Sequence, residues 1–472
     1  YSYTQEYAIP LILLDSNIEL NNEKNRHLTD QLYRSDDVWM KAMQRVILGM
    51  GGALALKELG YAIDIFHLNE GHAVFAFVEM ARGLSKNERE EMKKHFAYTC
   101  HTPVEAGHDR FSGGDMNKIV KKEDFEIMEE YGKDSHGMIN LTLLAMNSAS
   151  AINAVSKRHQ TVMHSQFPQY KERIQFVTNG VHPHTWISEK FMALFEEFSM
   201  VFNDIKANPY NLLRAKELKS NPEFRMKLWQ AHQENKEGLC QFLSKWKLHR
   251  DVFTICWARR VAAYKRPSLI LQEINRLLEI AKKYGPLQIL FAGKAHPQDD
   301  LGFTYINLML DKIDEHNKVY DLLKIIMLEN YEIALAKMLT SSVDVWLNNP
   351  LPPFEASGTS GMKAILNGVV QMSTLDGWVV EAEDKNVGKI FGYRWEEGKA
   401  SSEQNLRIVD DSQALYAALE EMVALYYKTN TKGVADISSP WIDIMIDCVA
   451  AGAHFNTYRM LDEYKRVIWN MT

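Results

Sequence analysis

The run Phe354–Asp376, FEASGTSGMKAILNGVVQMSTLD, holds one lysine, Lys363, just inside what reads as a short helix after a loop of small polar residues. Small residues let backbone N–H groups approach a phosphate closely, and the helix N-terminus behind them favours an anion. Lys363 lies about one turn into that helix, so its amine reaches the same place. A desolvated lysine amine beside a phosphate nest is the arrangement a pyridoxal Schiff base requires. Spacing alone fits a surface helix with a solvated lysine and an ordinary Ser-Gly turn as well.

A second group is ARRVAAYKR, Ala258–Arg266, directly after the strand-like run Phe253–Ala258. Loops at the carboxyl ends of parallel strands line the ligand crevice, so Arg259, Arg260 and Lys265 are expected to project cations into it. Arg offers a bidentate fork to phosphate and Lys a compact charge. A solvated basic face is the competing reading, and the acidic chain around it makes a focused cationic cluster more telling. Two histidine motifs, HLNEGH (His67–His72) and CHTPVEAGHDRF (Cys100–Phe111), also follow strand-like runs. Neither has a paired metal-ligand spacing, so no metal is expected; such residues hold sugar hydroxyls or satisfy buried backbone groups. TNGVHPHTWI (Thr178–Ile187) puts Asn179 and Trp186 after a third strand-like run, where a tight Asn-Gly turn with a core Trp is the alternative.

These motifs must be positioned by the elements before them. Short apolar or β-branched runs recur at 8–14, 63–68, 96–100, 253–258, 287–292, 323–328 and 343–347, each followed by a longer helical pattern. That alternation predicts parallel sheets wrapped by helices. Between Trp186 and Asp251 the pattern is helical and charged, with two Asn-Pro turn signals and no strand candidate. The expected class is therefore α/β: two doubly wound, Rossmann-like domains facing across a cleft, 1–186 and 187–453, with a C-terminal helix over 454–472 packing on a domain surface. The uncharged stretch Met138–Val155 is interrupted by three Asn and reads as a buried helix, not a membrane span.

Composition narrows the class further. At 472 residues the chain is long enough for two cores, and 46% hydrophobic with 24% charged residues is a globular balance. A net charge of -7 and a pI near 6.2 argue against nucleic acid as a partner. Four cysteines without C-x-x-C spacing, and no basic-then-apolar leader at the start, fit a cytoplasmic protein with no membrane partner.

Taken together, these segments resemble the glycogen and α-glucan phosphorylase family, in order from about Ile12 to about Tyr464. EASGTSGMK is similar to that family's cofactor motif in its short bacterial and archaeal form. The resemblance implies the two-lobed glycosyltransferase fold known as GT-B, and pyridoxal 5'-phosphate held covalently on Lys363. Gly358, Thr359, Ser360, Arg259, Trp186 and Tyr331 would surround that cofactor. Arg259, Arg260, Tyr264, Lys265 and Arg266 match the phosphorylase pattern that grips cofactor and substrate phosphates. Glu355, Ser357, Asn179, Tyr264, Glu70 and His72 fall on substrate-side positions, and His101 on the sugar subsite. FAGKAHP (Phe291–Pro297) and LENY (Leu328–Tyr331) match further segments of the family.

The implied activity is reversible phosphorolysis of terminal α-1,4-glucosidic bonds of glycogen, starch or maltodextrin, giving glucose 1-phosphate with retained configuration. Lys363, Arg260, Lys265 and His101 are the residues expected to carry it, with glucan and orthophosphate as partners. The family's glycine-rich loop that closes over the substrate phosphate lies upstream of anything in this chain. That departure implies weak activity for the chain alone and raises a truncated or split glucan-binding subunit as an alternative, with a nucleotide-sugar glucan synthase as another. A homodimer or a complementing N-terminal segment are the expected assemblies. The regulatory segment of the animal enzymes is also missing, so allosteric control is not expected.

Overall fold

The computed structural model describes residues 9–32, 37–104, 107–295, 300–317, 322–397, 407–431 and 433–471. The chain divides into two compact units, the first comprising Tyr1–Ala154 and Gln166–Gln175, the second Val155–Ser165 and Phe176–Asn470. None of the described helices is long and apolar enough to cross a membrane.

The first unit is built on four strands, β1 (Phe66–Asn69), β2 (Phe96–Cys100), β3 (Ala151–Ala154) and β4 (Ile174–Phe176), adjacent in that order. β1 with β2 and β2 with β3 run parallel. Every residue of β2 is buried, which is the signature of a strand covered on both faces. Phe77 packs edge-on against Phe96 and Tyr131, with ring centroids 5.3 and 5.0 Å apart, so aromatic geometry locks a helix onto the sheet.

The main sheet of the second unit holds six strands: β5 (Phe253–Ala258), β6 (Leu287–Ala292), β7 (Leu323–Leu328), β8 (Val345–Asn348), β9 (Val370–Ser373) and β10 (Gly388–Ile390). Their order across the sheet is β10-β9-β8-β5-β6-β7, all parallel. Two of the flanking helices start where the Asn-Pro pairs stand: Asn208 caps 209–218 and Asn221 caps the long helix Pro222–Phe242, each with Pro in its first turn. That long helix is pinned by a buried ionic group, in which Asp344 takes His232 Nε2 at 2.9 Å, Lys236 Nζ at 2.6 Å and the Thr254 N–H at 2.7 Å. Buried charge is tolerated there because each member is paired.

Two sequence expectations need correction. The run at 8–14 forms no strand: Ala8 lies outside the described residues, and Ile9–Leu14 is irregular, with Ile9, Leu11 and Leu13 exposed. Apolar composition makes a strand only where a neighbouring strand offers a ladder. Met138–Val155 is not one helix but the helix Leu141–Ser148 followed by β3. Asn140 caps that helix by accepting from the Thr142 and Leu143 N–H groups. Ser150 then donates its N–H to the carbonyls of Lys93 and Phe96, drawing the chain into the sheet beside β2. A continuous apolar run does not encode that break.

Candidate functional site

In the second unit the chain builds outward from β5 to β7, then returns to place β8 against the other side of β5. The strand order thus reverses between β5 and β8, and in open parallel sheets the carboxyl ends at such a switch point are where ligands bind. The loop after β5 is the cationic run 259–266; the loop after β8 carries 349–358. Backbone contacts stitch them together, the Leu351 N–H donating to the Tyr264 carbonyl at 2.7 Å. Arg266, buried and in the left-handed region at φ 48°, reinforces the seam. Its guanidinium donates to the carbonyls of Asn349 at 2.8 Å and Pro350 at 3.1 Å and ion-pairs with Asp411. Those engagements make Arg266 a tie between loops, whereas the motif alone groups it with the phosphate-gripping cations.

The seam holds three buried charges. Arg259, Lys265 and Glu355 are 8%, 8% and 9% exposed. Glu355 Oε2 ion-pairs with Arg259 and lies 3.4 Å from Lys265 Nζ. Burial pulls the Lys265 ammonium down to about 8, assisted by the Arg259 charge. Burial would raise the Glu355 carboxyl, yet Arg259 and Lys265 outweigh it and hold the group below its ordinary value. Two cations facing one carboxylate leave a surplus of positive charge. In addition, Arg259 Nε and Nη1 are buried without a hydrogen-bond partner among the described residues, an expensive condition that an anion relieves. Arg260 is exposed at the loop surface, and the Tyr264 hydroxyl is pushed up to about 12, chiefly by burial.

Behind Glu355 stands a carboxylate that the sequence motifs did not single out. Asp376, fully buried just past β9, accepts the Glu355 N–H at 2.8 Å and the Gly377 N–H at 2.9 Å. Burial pushes its pKa to about 8, with the Glu355 charge adding to the rise. Arg158 approaches it at 3.9 Å and lies over the Trp395 ring. A buried Asp at a strand's carboxyl end was the one available signal for Asp376; Arg158, about two hundred residues away along the chain, carried none.

Lys363 is on the helix Ser360–Ile365, which follows the small-residue loop. Its Nζ sits 4.0 Å from the centroid of the Trp186 ring. Burial alone lowers its pKa, with no charged neighbour contributing. Trp186 is fixed by the same helix segment, since Asn367 Nδ2 donates to its carbonyl at 2.8 Å. Ser360 Oγ accepts from Trp346 Nε1 at 3.1 Å. Gly361 is required by close approach: a Cβ there would meet Gln371 Oε1 at 2.6 Å and Trp378 at 2.8 Å. Gly358 has φ +72° and turns the loop beside Glu355, while Ser357 is buried and Thr359 forms the helix entry. Tyr331 is half-buried near Arg259, its hydroxyl pushed up by burial. Asn179 is half-buried and tied by its backbone, donating to the Val155 carbonyl at 3.0 Å and accepting from Arg459 at 3.0 Å.

In the first unit the strand-end motifs converge around Glu70. This residue sits at φ 61° and ψ -179°, a conformation that side chains rarely adopt. Its Oε1 accepts the His101 N–H at 2.5 Å and the Thr102 hydroxyl at 2.8 Å, and Tyr98 OH lies 3.4 Å from Oε2. Burial raises its pKa despite those bonds. Burial also pushes His67, His72 and His101 down to about 4, so all three are neutral near pH 7. His67 contacts Thr99 Oγ1 at 2.7 Å, and His72 lies 3.9 Å from Asp109, whose carboxylate is held by Lys41 and Arg45. Of the family segments quoted above, His296, Pro297, Glu105 and Ala106 lie outside the described residues.

A family model for carbohydrate phosphorylase matches residues 108–437. The chain is 32% identical to a glycogen phosphorylase of Aquifex aeolicus, covering 96% of this chain and 69% of that protein. It is 33% identical to a maltodextrin phosphorylase of Thermococcus litoralis, over 97% of this chain and 57% of the relative. A glycogen phosphorylase of Mycobacterium tuberculosis is 30% identical over 93% of this chain and 55% of its own length. The chain thus spans between 55% and 69% of these relatives. A match over most of the sequence, on a mixed α/β fold of parallel sheets with cations at the switch point, makes this chain a member of the carbohydrate phosphorylase family.

Proposed function

We propose that the chain acts as an α-glucan phosphorylase, cleaving terminal α-1,4-glucosidic bonds of a glycogen- or maltodextrin-type glucan with orthophosphate to give glucose 1-phosphate. The observation that carries this reading is the buried, net-positive cluster of Arg259 and Lys265 at the switch point, with Arg259 donors left unpartnered. Relatives named glycogen phosphorylase and maltodextrin phosphorylase supply the substrate class. The same membership disfavours a nucleotide-sugar synthase.

The residues fit pyridoxal 5'-phosphate. A lysine amine whose pKa is lowered by burial alone suits covalent attachment, so Lys363 would hold the group, with Trp186 against its amine and Arg259 toward its phosphate. When bound, the cofactor supplies a phosphate that supports proton transfer to the departing sugar oxygen. The chain's own contribution is electrostatic. Lys265 and Arg260 offset the repulsion between close phosphates, a term that grows as the site is desolvated. In the reaction the bond from the anomeric carbon to the departing oxygen breaks and a bond to a phosphate oxygen forms. The proton of orthophosphate passes to the departing oxygen. Tyr264 and Glu355 would bind hydroxyls of the glucosyl unit, and the His101 carbonyl would face the developing positive charge. Ser357, Asn179, Glu70 and His72 would complete the sugar contacts, with Gly358, Thr359, Ser360 and Tyr331 around the cofactor.

The test combines cofactor mapping with product analysis. Borohydride reduction followed by peptide mapping should tag Lys363, and maltodextrin with orthophosphate should release glucose 1-phosphate. An untagged chain that cannot be reconstituted, with no product formed, overturns the reading.

A further inference from the structure

One fully buried side chain ties the helix of Lys363 to the aromatic ring beside its amine. Asn367, a turn beyond Lys363, sends its carboxamide to the backbone of the segment that carries Trp186. Nδ2 donates to the Trp186 carbonyl at 2.8 Å, and Oδ1 accepts the Ser188 N–H at 2.7 Å. A carboxamide that takes the carbonyl before Ile187 and the N–H after it reproduces the pairing of a neighbouring strand, so the backbone on both sides of Ile187 is fixed. The same Nδ2 lies 3.2 Å from the Lys363 carbonyl and 3.4 Å from that of Thr340. Asn235 Nδ2 steadies the segment further by donating to Ser188 Oγ at 2.9 Å. None of this is needed to end the helix. The Gly368 N–H donates to the Ile365 carbonyl at 3.0 Å and the Val369 N–H to that of Ala364 at 3.2 Å, with Gly368 at φ 66°, so the backbone closes the helix by itself.

What the amide adds is a fixed placement of Trp186 relative to Lys363. The indole is only half-buried, so packing holds it less firmly than a core ring. Yet its centroid lies 4.0 Å from Lys363 Nζ, and burial, with no charge beside it, sets the amine's lowered pKa. An amine kept from water by a ring depends on where that ring sits. We infer that Asn367 is a positioning residue for the cofactor lysine: it holds the Trp186 ring over Lys363, and through that ring shields the lysine's covalent link from water and other small nucleophiles. This rests on the proposed attachment of pyridoxal 5'-phosphate to Lys363 and adds what protects the link once it is made.

The experiment adds hydroxylamine to the full chain loaded with pyridoxal 5'-phosphate and follows the loss of cofactor absorbance. The hydroxylamine nitrogen replaces the lysine nitrogen on the cofactor's carbon, and the lysine leaves as the free amine. Asn367→Leu, close in size but without donor or acceptor, should be stripped about tenfold faster than wild type, the equivalent of one hydrogen bond at about 1.4 kcal/mol. Trp186→Leu should be stripped at least as fast, and the double variant no faster than Trp186→Leu, because Asn367 acts through the ring. Should Asn367→Leu fail to fold, Asn367→Asp takes its place, keeping the acceptor for Ser188 and losing the amide donors. Urea midpoints on the same samples separate shielding from stability. A lowered midpoint with stripping of the folded chain at the wild-type rate is a structural role alone and overturns the inference. So does a double variant in which the two single effects multiply, or a Trp186→Leu chain stripped at the wild-type rate. In each of these cases cofactor attachment stands. A wild type that takes no cofactor on Lys363 overturns the cofactor reading and this inference with it.

Discussion

The strand ends of the first unit bring neutral histidines beside a half-buried carboxylate, Glu70, whereas those of the second gather cations round a buried one, Glu355. Both arise from the same device, a parallel sheet whose carboxyl ends deliver loops to one rim. What differs is the partner of the carboxylate. Glu70 is satisfied by a backbone N–H and hydroxyls, which carry no charge, so its pKa rises. Glu355 is satisfied by Arg259 and Lys265, so its pKa falls. Burial acts on both carboxylates in the same direction, and the neighbours decide the sign. A neutral rim suits hydroxyls; a cationic one suits phosphate.

The largest expected effect breaks the cationic side. Lys265→Ala should lower kcat for glucose 1-phosphate formation by roughly 100- to 1,000-fold, the usual cost of losing one preorganised electrostatic donor. A loss under tenfold in steady-state assays would remove Lys265 from the phosphate site. On the neutral side, Glu70→Ala removes the carboxylate that accepts the His101 N–H. About 1–3 kcal/mol of stability should be lost, read from urea unfolding.

Asp376 sharpens the contrast through pH. Its folded pKa of about 8 lies above the ordinary value of 3.8, so the folded chain holds a proton that the unfolded chain releases. Its stabilising contribution is full below about pH 4, declines as pH rises toward 8 and levels off beyond. Relative to Asp376→Asn, wild-type unfolding midpoints should therefore fall across that window; parallel curves would show that Asp376 ionises normally. The smallest expected effect is on the histidines. With His67, His72 and His101 already neutral above about 4, glucosyl binding should stay flat between pH 5.5 and 7, below the range in which Lys265 and Asp376 titrate. A step near 6.5 in calorimetric sugar affinity would show that one of them titrates in the exposed manner.

Much of the framework was legible along the chain. The runs at 96–100, 253–258, 287–292 and 323–328 match β2, β5, β6 and β7 residue for residue, because strands buried on both faces are written as unbroken apolar segments. The helix holding Lys363 and the caps at Asn208 and Asn221 were equally local, set by small residues, Asn and Pro acting within one turn. Short or edge strands were harder. β10, with three residues, is too short to stand out, and β3 was hidden inside an apolar run whose helix gives way where the Ser150 N–H bonds to the carbonyls of Lys93 and Phe96.

Sequence by itself determined that Glu70, His101, Arg259 and Lys265 follow strands and that Lys363 lies on a short helix, through local periodicity and loop composition. Only the tertiary structure decided what each of them does with its charge. Arg158 met Asp376, behind Glu355, from a distant part of the chain, Arg266 turned inward to Asp411, and Glu355 found two cations while Glu70 found none. A pKa and an ion pair depend on burial and on neighbours within a few ångströms, and those neighbours are supplied by folding.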